Sequence, residues 1–405
     1  MTSGGTVGRS LLIVGEVRVL IDATAVPADR GGVGRYVDSL VFALDSDGAP
    51  ITVVCQPRDV ELYGRLAPHS RVVPTAESNA TRTARLTWEQ TTLPRLVRRL
   101  GVDVLHSPHY TTALANPAAS VVTLHDATFF TDAALHHSIK ARFFRMWTKT
   151  ALTRASLCVV PSVATANELA RVAGADPDRL EIIQHGVDSE RFHLPTDAEV
   201  AAARTVVGLD ADTPYIAFLG ALEPRKNVPA LIRGFAAACQ RLPARAVPPA
   251  LVLAGQPGWD RQVERALDDV PHRLRVIRAG YLPFDRLAGF LGGAELVAYP
   301  SLGEGFGLPV LEAMACGACV LTTRRLALPE VGGDAVAYCG VGAGDIGAAL
   351  TELLDNPALR ANLAAAAQRR AKEFSWLTSA EGHRLAYEKA HHMHTARRGR
   401  RSHVQ

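Results

Sequence analysis

The sequence has no long hydrophobic segment and no regular spacing of cysteines. Over its 405 residues, no apolar run approaches the ~18 residues that a membrane-spanning helix needs. The apolar run near the start, Leu11–Val14, is shorter than the core of a signal peptide, which has about 7–15 residues. The six cysteines are scattered without a disulfide framework, which is typical of a reducing compartment. We therefore expect a soluble, cytoplasmic protein.

The sequence also has little net charge and no internal repeat. A net charge of +4 is too small for this length to indicate nucleic-acid binding. The 405 residues exceed the roughly 250–300 at which a single core stops growing, and a hydrophobic content of 48% is ample for two cores. We predict two domains and no nucleic-acid partner.

Short apolar runs alternate with helical stretches in both halves of the chain. The predicted strands are 17–21, 51–54, 102–105, 121–124 and 158–160 in the first half, and 215–219, 250–253, 274–277, 296–299 and 319–322 in the second. This alternation predicts parallel sheets that are buried on both faces. Two such series predict an α/β fold with two Rossmann-like domains. Because ligands bind beyond the carboxyl ends of such strands, both sheets can face one central cleft.

The domain boundary is predicted in the polar stretch that contains Pro195. We assign residues 17–195 to an N-terminal domain and 212–375 to a C-terminal domain. A final helix is expected over 376–392. The basic segment 393–405 is expected to be a disordered tail, because chain ends without burial are poorly ordered.

The segment from Tyr299 to Gly317 predicts an anion site. Pro309 suits the first helical position, and Gly317 suits the end of the helix. The amides of Leu308, Val310 and Leu311 would then have no intrahelical acceptor, and the positive end of the helix dipole would add to them. Glu304 precedes this site and Glu312 lies one turn inside the helix. One carboxylate can therefore flank each side of a bound phosphate, as a sugar diphosphate requires.

The pattern Glu304-Gly-Phe-Gly-Leu-Pro-x-x-Glu312 resembles the E-x7-E signature of family 4, the retaining nucleotide-sugar-dependent glycosyltransferases of the GT-B fold. The resemblance extends from about Val17 to Phe374. It implies that the final helix crosses back onto the first domain. In that family the second glutamate holds the ribose hydroxyls and the first contacts the transferred sugar, and these roles carry over to Glu312 and Glu304.

A pair of cations follows the first predicted strand of the second half, in Glu223-Pro-Arg225-Lys226-Asn227. On spacing alone, a solvated loop is an equal alternative. The resemblance implies that Lys226 reaches the diphosphate and that Arg225 assists it. A fixed cation stabilises the negative charge that builds on a departing phosphate. Relatives often carry a further arginine where this chain has Ala221, so the role of Lys226 is better founded than that of Arg225.

Two more motifs follow strands of the first half. The loop Arg30-Gly31-Gly32-Val-Gly34 resembles the family's glycine-rich loop, which approaches the donor phosphates and the acceptor. His125 matches the family's histidine beside the transferred sugar, and Asp126 is expected to position His125 or the acceptor. The alternatives are a flexible turn and a structural histidine.

The resemblance also assigns the remaining contacts. Tyr281 and Leu282 fall where relatives hold the nucleobase. The predicted catalytic residues are His125, Arg225, Lys226 and Glu304. The predicted substrate-binding residues are Gly31, Gly32, Asp126, Tyr281, Leu282, Gly305, Phe306, Gly307, Leu308, Val310 and Glu312.

We predict no catalytic metal and no cofactor. Asp45-Ser-Asp47 imitates a D-x-D metal site, but it precedes Gly48 and a turn is favoured. His106 and His109 lack further ligands at zinc-like spacing. Cys316 and Cys319 form a CxxC at a helix C-terminus, whereas a reactive thiolate favours a helix N-terminus, so an inert pair is expected.

Two basic amphipathic stretches lie in the first half, at 82–99 and 139–147. Packing of their apolar side chains against the sheet is favoured. Peripheral docking on an anionic membrane, at the inner face of the cell membrane, is the alternative.

The resemblance predicts a hexosyltransferase of polysaccharide or glycolipid assembly. The combination of motifs is most like mannosyl- and rhamnosyltransferases, so the expected donor is GDP-mannose and the acceptor a glycan or a lipid-linked sugar. The alternatives are a transferase that uses a UDP- or dTDP-sugar (glucose, N-acetylglucosamine or rhamnose), a GT-B sugar-nucleotide epimerase, and an inactive scaffold.

Overall fold

The computed structural model describes residues 17–28, 30–48, 51–131, 138–241 and 248–402. The apolar run Leu11–Val14 and the last residues of the predicted tail, 403–405, lie outside these ranges. Within the ranges, no helix is long and apolar enough to cross a membrane.

In the described part of the first half, seven parallel strands form one sheet. Their order is β3-β2-β1-β4-β5-β6-β7, so the sheet grows in opposite directions from the β1–β4 pair. The strands are β1 Val19–Asp22, β2 Ile51–Cys55, β3 Arg71–Pro74, β4 Val104–Ser107, β5 Ala119–Thr123, β6 Leu157–Val160 and β7 Leu180–Ile182. The central strands β1 and β4 are buried throughout, as expected for a sheet covered on both faces.

In the described part of the second half, six parallel strands form a separate sheet of order β10-β9-β8-β11-β12-β13. The strands are β8 Tyr215–Leu219, β9 Ala250–Ala254, β10 Val276–Gly280, β11 Leu296–Tyr299, β12 Val320–Thr323 and β13 Ala337–Cys339. The predicted α/β fold with two Rossmann-like domains is confirmed. The polar stretch around Pro195 lies between the last strand of the first sheet and the first strand of the second.

Helices connect and cover both sheets. They are α1 Gly32–Ser46, α2 Val60–Leu66, α3 Arg82–Thr91, α4 Leu93–Leu100, α5 Thr128–Thr131, α6 Ser138–Arg154, α7 Val163–Ala173, α8 Asp197–Val207, α9 Val228–Arg241, α10 Gln262–Asp268, α11 Leu287–Gly292, α12 Leu308–Ala315, α13 Leu328–Gly332, α14 Ala343–Asp355, α15 Pro357–Ala371 and α16 Trp376–Ser402.

The final helix α16 crosses back onto the first domain, as the resemblance implied. His383 Nδ1 donates to the carbonyl of Ser379 at 2.7 Å, so its Nε2 accepts from the Tyr36 hydroxyl of α1 at 2.9 Å. The Tyr387 hydroxyl lies 2.8 Å from Nδ1 of His106 on β4. These buried hydrogen bonds fix the helix against the first sheet.

The helix α16 continues through Ser402, whereas the sequence predicted a helix end at residue 392. The prediction of disorder from residue 393 is therefore corrected as far as residue 402. Alanine and arginine favour helix, and the segment contains no proline to end it. In addition, Arg398 Nη1 donates to the carbonyl of Pro117 at 3.4 Å, so this end of the helix contacts the first domain.

The two basic stretches fold as α3–α4 and as part of α6. Trp88, Leu93, Phe144 and Trp147 are buried, so packing of these side chains in the first domain is confirmed. On the outer face of α6, 86% of Ile139 and 55% of Met146 are exposed. Membrane docking through this face stays a prediction.

Candidate active site

Residues from both domains line one central cavity of about 380 Å³. The predicted site residues that line it are Gly31, Gly32, His125, Asp126, Arg225, Lys226, Tyr281, Leu282, Glu304, Gly305, Phe306, Gly307 and Leu308. Most of these residues follow the carboxyl ends of strands, where open α/β sheets bind ligands. Val310 and Glu312 are not among the residues that line this cavity.

The loop before α12 presents a row of backbone amides. Gly307 caps the helix with a φ of 108°, which glycine adopts without strain. Within the described chain, no hydrogen-bond partner is assigned to the N–H groups of Gly305, Phe306, Gly307 or Leu308. Four consecutive donors at a helix N-terminus form a site that favours an anion.

The position of this anion site differs from the sequence prediction by one turn. The helix begins at Leu308, so Pro309 is the second helical residue. The amides of Val310 and Leu311 donate to the Gly307 carbonyl at 3.0 and 3.2 Å. The prediction that these two amides bind the anion is therefore wrong, because the cap residue already supplies their acceptor. Val310 is also fully buried.

Arg225 and Lys226 meet Glu304 inside the second domain. Lys226 Nζ lies 2.7 Å from Glu304 Oε1, and Arg225 Nη1 lies 2.5 Å from Glu304 Oε2. Arg225 Nη1 also donates to the Gly303 carbonyl at 2.8 Å. The short 3-10 helix Pro224–Lys226 after β8 turns both cations towards the loop that follows β11. The solvated-loop alternative is excluded, since Lys226 and Glu304 are both buried.

Arg225, Lys226 and Glu304 form a charged cluster in which the pKa of each group depends on the other two. Burial opposes the charge of Glu304, but attraction from Arg225 and then Lys226 lowers its pKa to about 2. Burial, together with the positive charge of Arg225, lowers the pKa of Lys226 to about 8. Attraction from Glu304 raises the pKa of Arg225 above its ordinary value although burial acts against it. At neutral pH the cluster therefore carries one net positive charge, which suits an anionic ligand.

Two further residues hold Glu304 and were missed by sequence reasoning. The Ser301 hydroxyl donates to Glu304 Oε1 at 2.6 Å, and the Tyr299 hydroxyl donates to the same oxygen at 3.0 Å. Lys226 Nζ also donates to the Tyr299 hydroxyl and lies 4.8 Å from the centre of that ring. Ser301 and Tyr299 lie in the same short segment as Glu304. This proximity in the sequence was the signal that could have identified them as site residues.

His125 approaches the cavity from the end of β5. Its Nε2 lies 2.7 Å from the carbonyl of Pro108, which can only accept, so the proton is on Nε2. Burial lowers the pKa of His125 and keeps the ring neutral. The described structure assigns no partner to Nδ1, which can accept from a ligand hydroxyl. Asp126 accepts from the amide and hydroxyl of Thr128, at 3.0 and 2.7 Å, rather than from His125.

The two domains meet at Gly305. A Cβ atom at this position would lie 1.7 Å from the carbonyl oxygen of His125. The Gly305 carbonyl accepts from the hydroxyls of Ser162 and Thr165 at 2.7 and 3.1 Å. By contrast, a Cβ atom on Gly31 or Gly32 would meet nothing within 4 Å, and neither glycine has a positive φ. These two glycines leave open space at the cavity wall, whereas Gly305 permits contact between the domains.

Glu312 lies one turn behind the amides, about 6 Å further along the helix axis. Its Oε1 is 3.1 Å from Nε of Arg35 on α1, and no hydrogen-bond partner is assigned to Oε2 among the described residues. Burial raises the pKa of Glu312, and Arg35 opposes the shift. The carboxylate is thus paired across the domains, and its contact with a ribose stays a prediction.

The alternatives for metal and thiol chemistry can be checked against the described residues. Within them, no three His, Cys, Asp or Glu side chains are grouped to hold a metal ion. Asp45 is buried and accepts from the Ser70 hydroxyl at 2.5 Å, and Asp47 pairs with Arg384 at 3.1 Å. Cys316 and Cys319 are buried, and burial raises the pKa of each thiol, that of Cys319 to about 12. These shifts favour the inert pair.

Two family models together match most of the chain. The model described as Glycosyltransferase Family 4 matches residues 30–191, and the one described as Glycosyl transferases group 1 matches residues 199–370. The second match contains Arg225, Lys226 and Glu304, and the first contains His125.

Curated relatives resemble part of the chain. A D-inositol 3-phosphate glycosyltransferase from Rhodococcus opacus is 34% identical over 57% of this chain and 53% of its own length. The O-antigen chain mannosyltransferase B of Escherichia coli is 33% identical over 64% of this chain and 67% of its own length. The match therefore spans about half the length of the first relative and two thirds of the second.

Solved structures resemble nearly the whole chain in fold. Sucrose-phosphate synthase from Thermosynechococcus elongatus has a TM-score of 0.71 and 20% identity, over 92% of this chain and 99% of its own. Anabaena HepE, solved in complex with UDP and glucose, has a TM-score of 0.68 and 17% identity, over 90% of this chain and 98% of its own. At such identities the likeness shows the fold.

Proposed function

Because the chain belongs to the group 1 glycosyltransferases of family 4, we propose that it transfers a hexose from a nucleotide-sugar with retention of anomeric configuration. The observation that carries this proposal is the meeting of two features at one cavity. The same space is lined by four amides, Gly305 to Leu308, that have no partner among the described residues, and by two cations, the partly buried Arg225 and the buried Lys226. Both features attract an anion of the size of a diphosphate.

In the proposed reaction, the diphosphate leaves while amides and cations neutralise its developing charge. Such fixed donors in a site that excludes water need no reorganisation as the bond breaks. Glu304 holds Arg225 and Lys226 in place through its two oxygens. The unprotonated Nδ1 of His125 accepts from a sugar hydroxyl. The leaving phosphate takes the proton of the attacking acceptor hydroxyl at the same face of the sugar, so no enzyme nucleophile takes part.

We propose mannose from GDP-mannose as the transferred group and a glycan or lipid-linked acceptor. The name of the Escherichia coli relative, an O-antigen chain mannosyltransferase, supports this choice. The relatives named D-inositol 3-phosphate glycosyltransferases support a glycosyl transfer without naming the sugar. We also propose that turnover needs no metal ion, because Arg225 and Lys226 already line the same cavity as the anion site.

The donor is tested by thermal unfolding with GDP-, UDP- and dTDP-sugars, each with and without EDTA. A ligand at 100 times its dissociation constant stabilises the folded state by about 2.7 kcal/mol. We expect GDP-mannose to raise the melting temperature most, with the same shift in EDTA. A larger shift with a UDP- or dTDP-sugar would replace the proposed donor, and loss of the shift in EDTA would contradict metal independence. No shift with any donor would indicate an inactive scaffold.

Donor binding should weaken as the pH rises through about 8. Lys226 has its pKa lowered to about 8, so it loses its charge there rather than above pH 10. The protonated form is present below this pH and binds the diphosphate through charge-assisted hydrogen bonds. We expect the dissociation constant of GDP to rise by up to about tenfold per pH unit between pH 8 and 10, measured by calorimetry. The Lys226→Ala variant is the control and should show no such rise. A wild-type constant that stays level up to pH 10 would contradict this role of Lys226.

A further inference from the structure

Helix α7 of the first domain begins at a buried serine that contacts the second domain. Ser162 follows β6 and is fully buried. Its Oγ accepts from the amide of Thr165 at 3.1 Å, so it caps the helix. The same hydroxyl donates to the carbonyl of Gly305 at 2.7 Å, and the Thr165 hydroxyl donates to this carbonyl at 3.1 Å. The start of α7 therefore directs two hydroxyl donors at the first carbonyl of the amide row, Gly305 to Leu308.

These two hydrogen bonds fix the peptide group that joins Gly305 to Phe306. Glycine restricts its backbone less than other residues do, so Gly305 by itself leaves this peptide group free to rotate. A carbonyl oxygen has two lone pairs, and the two hydroxyls occupy both. In a planar trans peptide the N–H points away from the C=O, so the N–H of Phe306 points away from α7. Phe306 lines the central cavity, and no partner is assigned to its N–H within the described chain.

A carboxylate of the second domain binds the start of α7. Glu330, on α13, accepts from the amides of Val163 and Ala164 at 2.9 and 2.7 Å. These amides belong to the first turn of α7 and have no acceptor within the helix. The helix dipole also favours a negative charge at this end. The start of α7 is therefore bound to the second domain at two points, Glu330 and Gly305.

From these contacts we propose that Ser162 and Thr165 are positioning residues for the proposed glycosyl transfer. They hold the Gly305 carbonyl towards the first domain, so that the N–H of Phe306 donates to the departing diphosphate. Without the two hydroxyls, the peptide group can rotate and turn its carbonyl oxygen, which repels an anion, towards the diphosphate. The inference rests on the proposed function and adds that the first domain completes the anion site of the second.

The test is calorimetric binding of GDP, guanosine and inorganic pyrophosphate to the full chain. Guanosine has the base and the ribose but no phosphate, whereas pyrophosphate has only the anion. We expect Thr165→Val to weaken GDP and pyrophosphate binding about tenfold, because a hydrogen bond to a charged group contributes about 10- to 100-fold to affinity. The double variant Ser162→Ala/Thr165→Val should weaken both about 100-fold. Guanosine should bind to all these variants as it does to the wild type.

Two further variants separate this role from a loss of stability. Thr165→Ser keeps the hydroxyl and should bind both anions as tightly as the wild type. Thr81→Ala removes the cap of α3, where the Thr81 hydroxyl accepts from the third helical amide at 3.3 Å, as Ser162 does in α7. This variant should have a lower melting temperature but unchanged anion binding.

Nuclear magnetic resonance can observe the proposed donor itself. A chain labelled with ¹⁵N at its 12 phenylalanines gives a spectrum of few amide signals. The signal of Phe306 is identified by its absence from the spectrum of Phe306→Leu. We expect pyrophosphate to move the proton of this signal to lower field in the wild type, and to move it less in Thr165→Val.

The inference is overturned if the double variant binds pyrophosphate as tightly as the wild type, or if guanosine is weakened equally. It is also overturned if Thr165→Ser fails to restore binding or if Thr81→Ala weakens it to the same extent. Pyrophosphate distinguishes these outcomes from a failure of the proposed function. If the wild type binds pyrophosphate but not GDP, the proposed donor is wrong, and the variants still decide the role of α7. If the wild type binds neither, the proposed function and this inference are both overturned.

Discussion

Lys226→Ala should lower kcat by about 10²–10³ while the protein stays folded. Removing one preorganised donor from a site where charge develops has a cost of that size. Folding should persist because Glu304 keeps Arg225 at 2.5 Å and accepts from Ser301 and Tyr299. The measurement is the turnover of the donor identified by the thermal screen, together with the melting temperature.

A matched control is Lys389→Ala. Lys389 lies on α16 and pairs with Glu181 at 2.5 Å, in a largely exposed position. The substitution Lys389→Ala removes the same type of side chain and the same charge far from the cavity. The kcat of this variant should therefore equal that of the wild type. Wild-type turnover in Lys226→Ala would remove this lysine from the mechanism. Equal losses in both variants would point to a general effect of charge instead.

Gly305→Ala should reduce kcat/KM at least 100-fold. The new Cβ atom would lie 1.7 Å from the His125 carbonyl oxygen and 2.9 Å from Cβ of Asp126, so the two domains must move apart. A displacement of about 1 Å in a positioned catalytic group can cost 10²-fold in rate. The displaced elements are the amide row on one side and His125 on the other. The measurement is kcat/KM, with small-angle scattering to detect the separation of the domains.

Gly64→Ala is the control for this substitution. Gly64 lies within α2, and a Cβ atom there meets nothing within 4 Å. Alanine in a helix interior is favoured over glycine, so this variant should retain its activity and its melting temperature. If Gly305→Ala kept wild-type kcat/KM and scattering, the close contact between the domains would have no part in catalysis.

The strands show where the hydrophobic pattern of the sequence is sufficient to predict secondary structure and where it is not. Central strands such as β8 and β9 are uninterrupted apolar runs because both faces are covered, and the sequence predicted them. Three edge strands, β3, β7 and β13, were not predicted. The edge strand β3 has no buried residue and includes Arg71 and Pro74, which an edge tolerates. Its pairing with β2, rather than its own pattern, makes it a strand.

In the site, too, some features were predicted from the sequence and others were not. Glu304, Arg225 and Lys226 were predicted from motifs that resemble a family, and the fold brings them within hydrogen-bond distance. The pairing of Glu312 with Arg35 and the partners of Asp126 were not predicted. These contacts depend on how the first domain is placed against the second, or on the path of a short loop, which no local pattern specifies.

The sequence by itself determined the two parallel sheets, the helix that starts beside Pro309 and the residue types of an anion site. Each of these depends on local periodicity, on the fixed φ of proline or on a short motif. Only the tertiary structure decided which amides lack a partner among the described residues, that Gly305 contacts the His125 carbonyl, and that Glu312 pairs with Arg35. Each of these is a contact or a missing contact between residues far apart in the chain. The packing of whole elements sets such contacts, because side chains in a close-packed interior have few alternative positions.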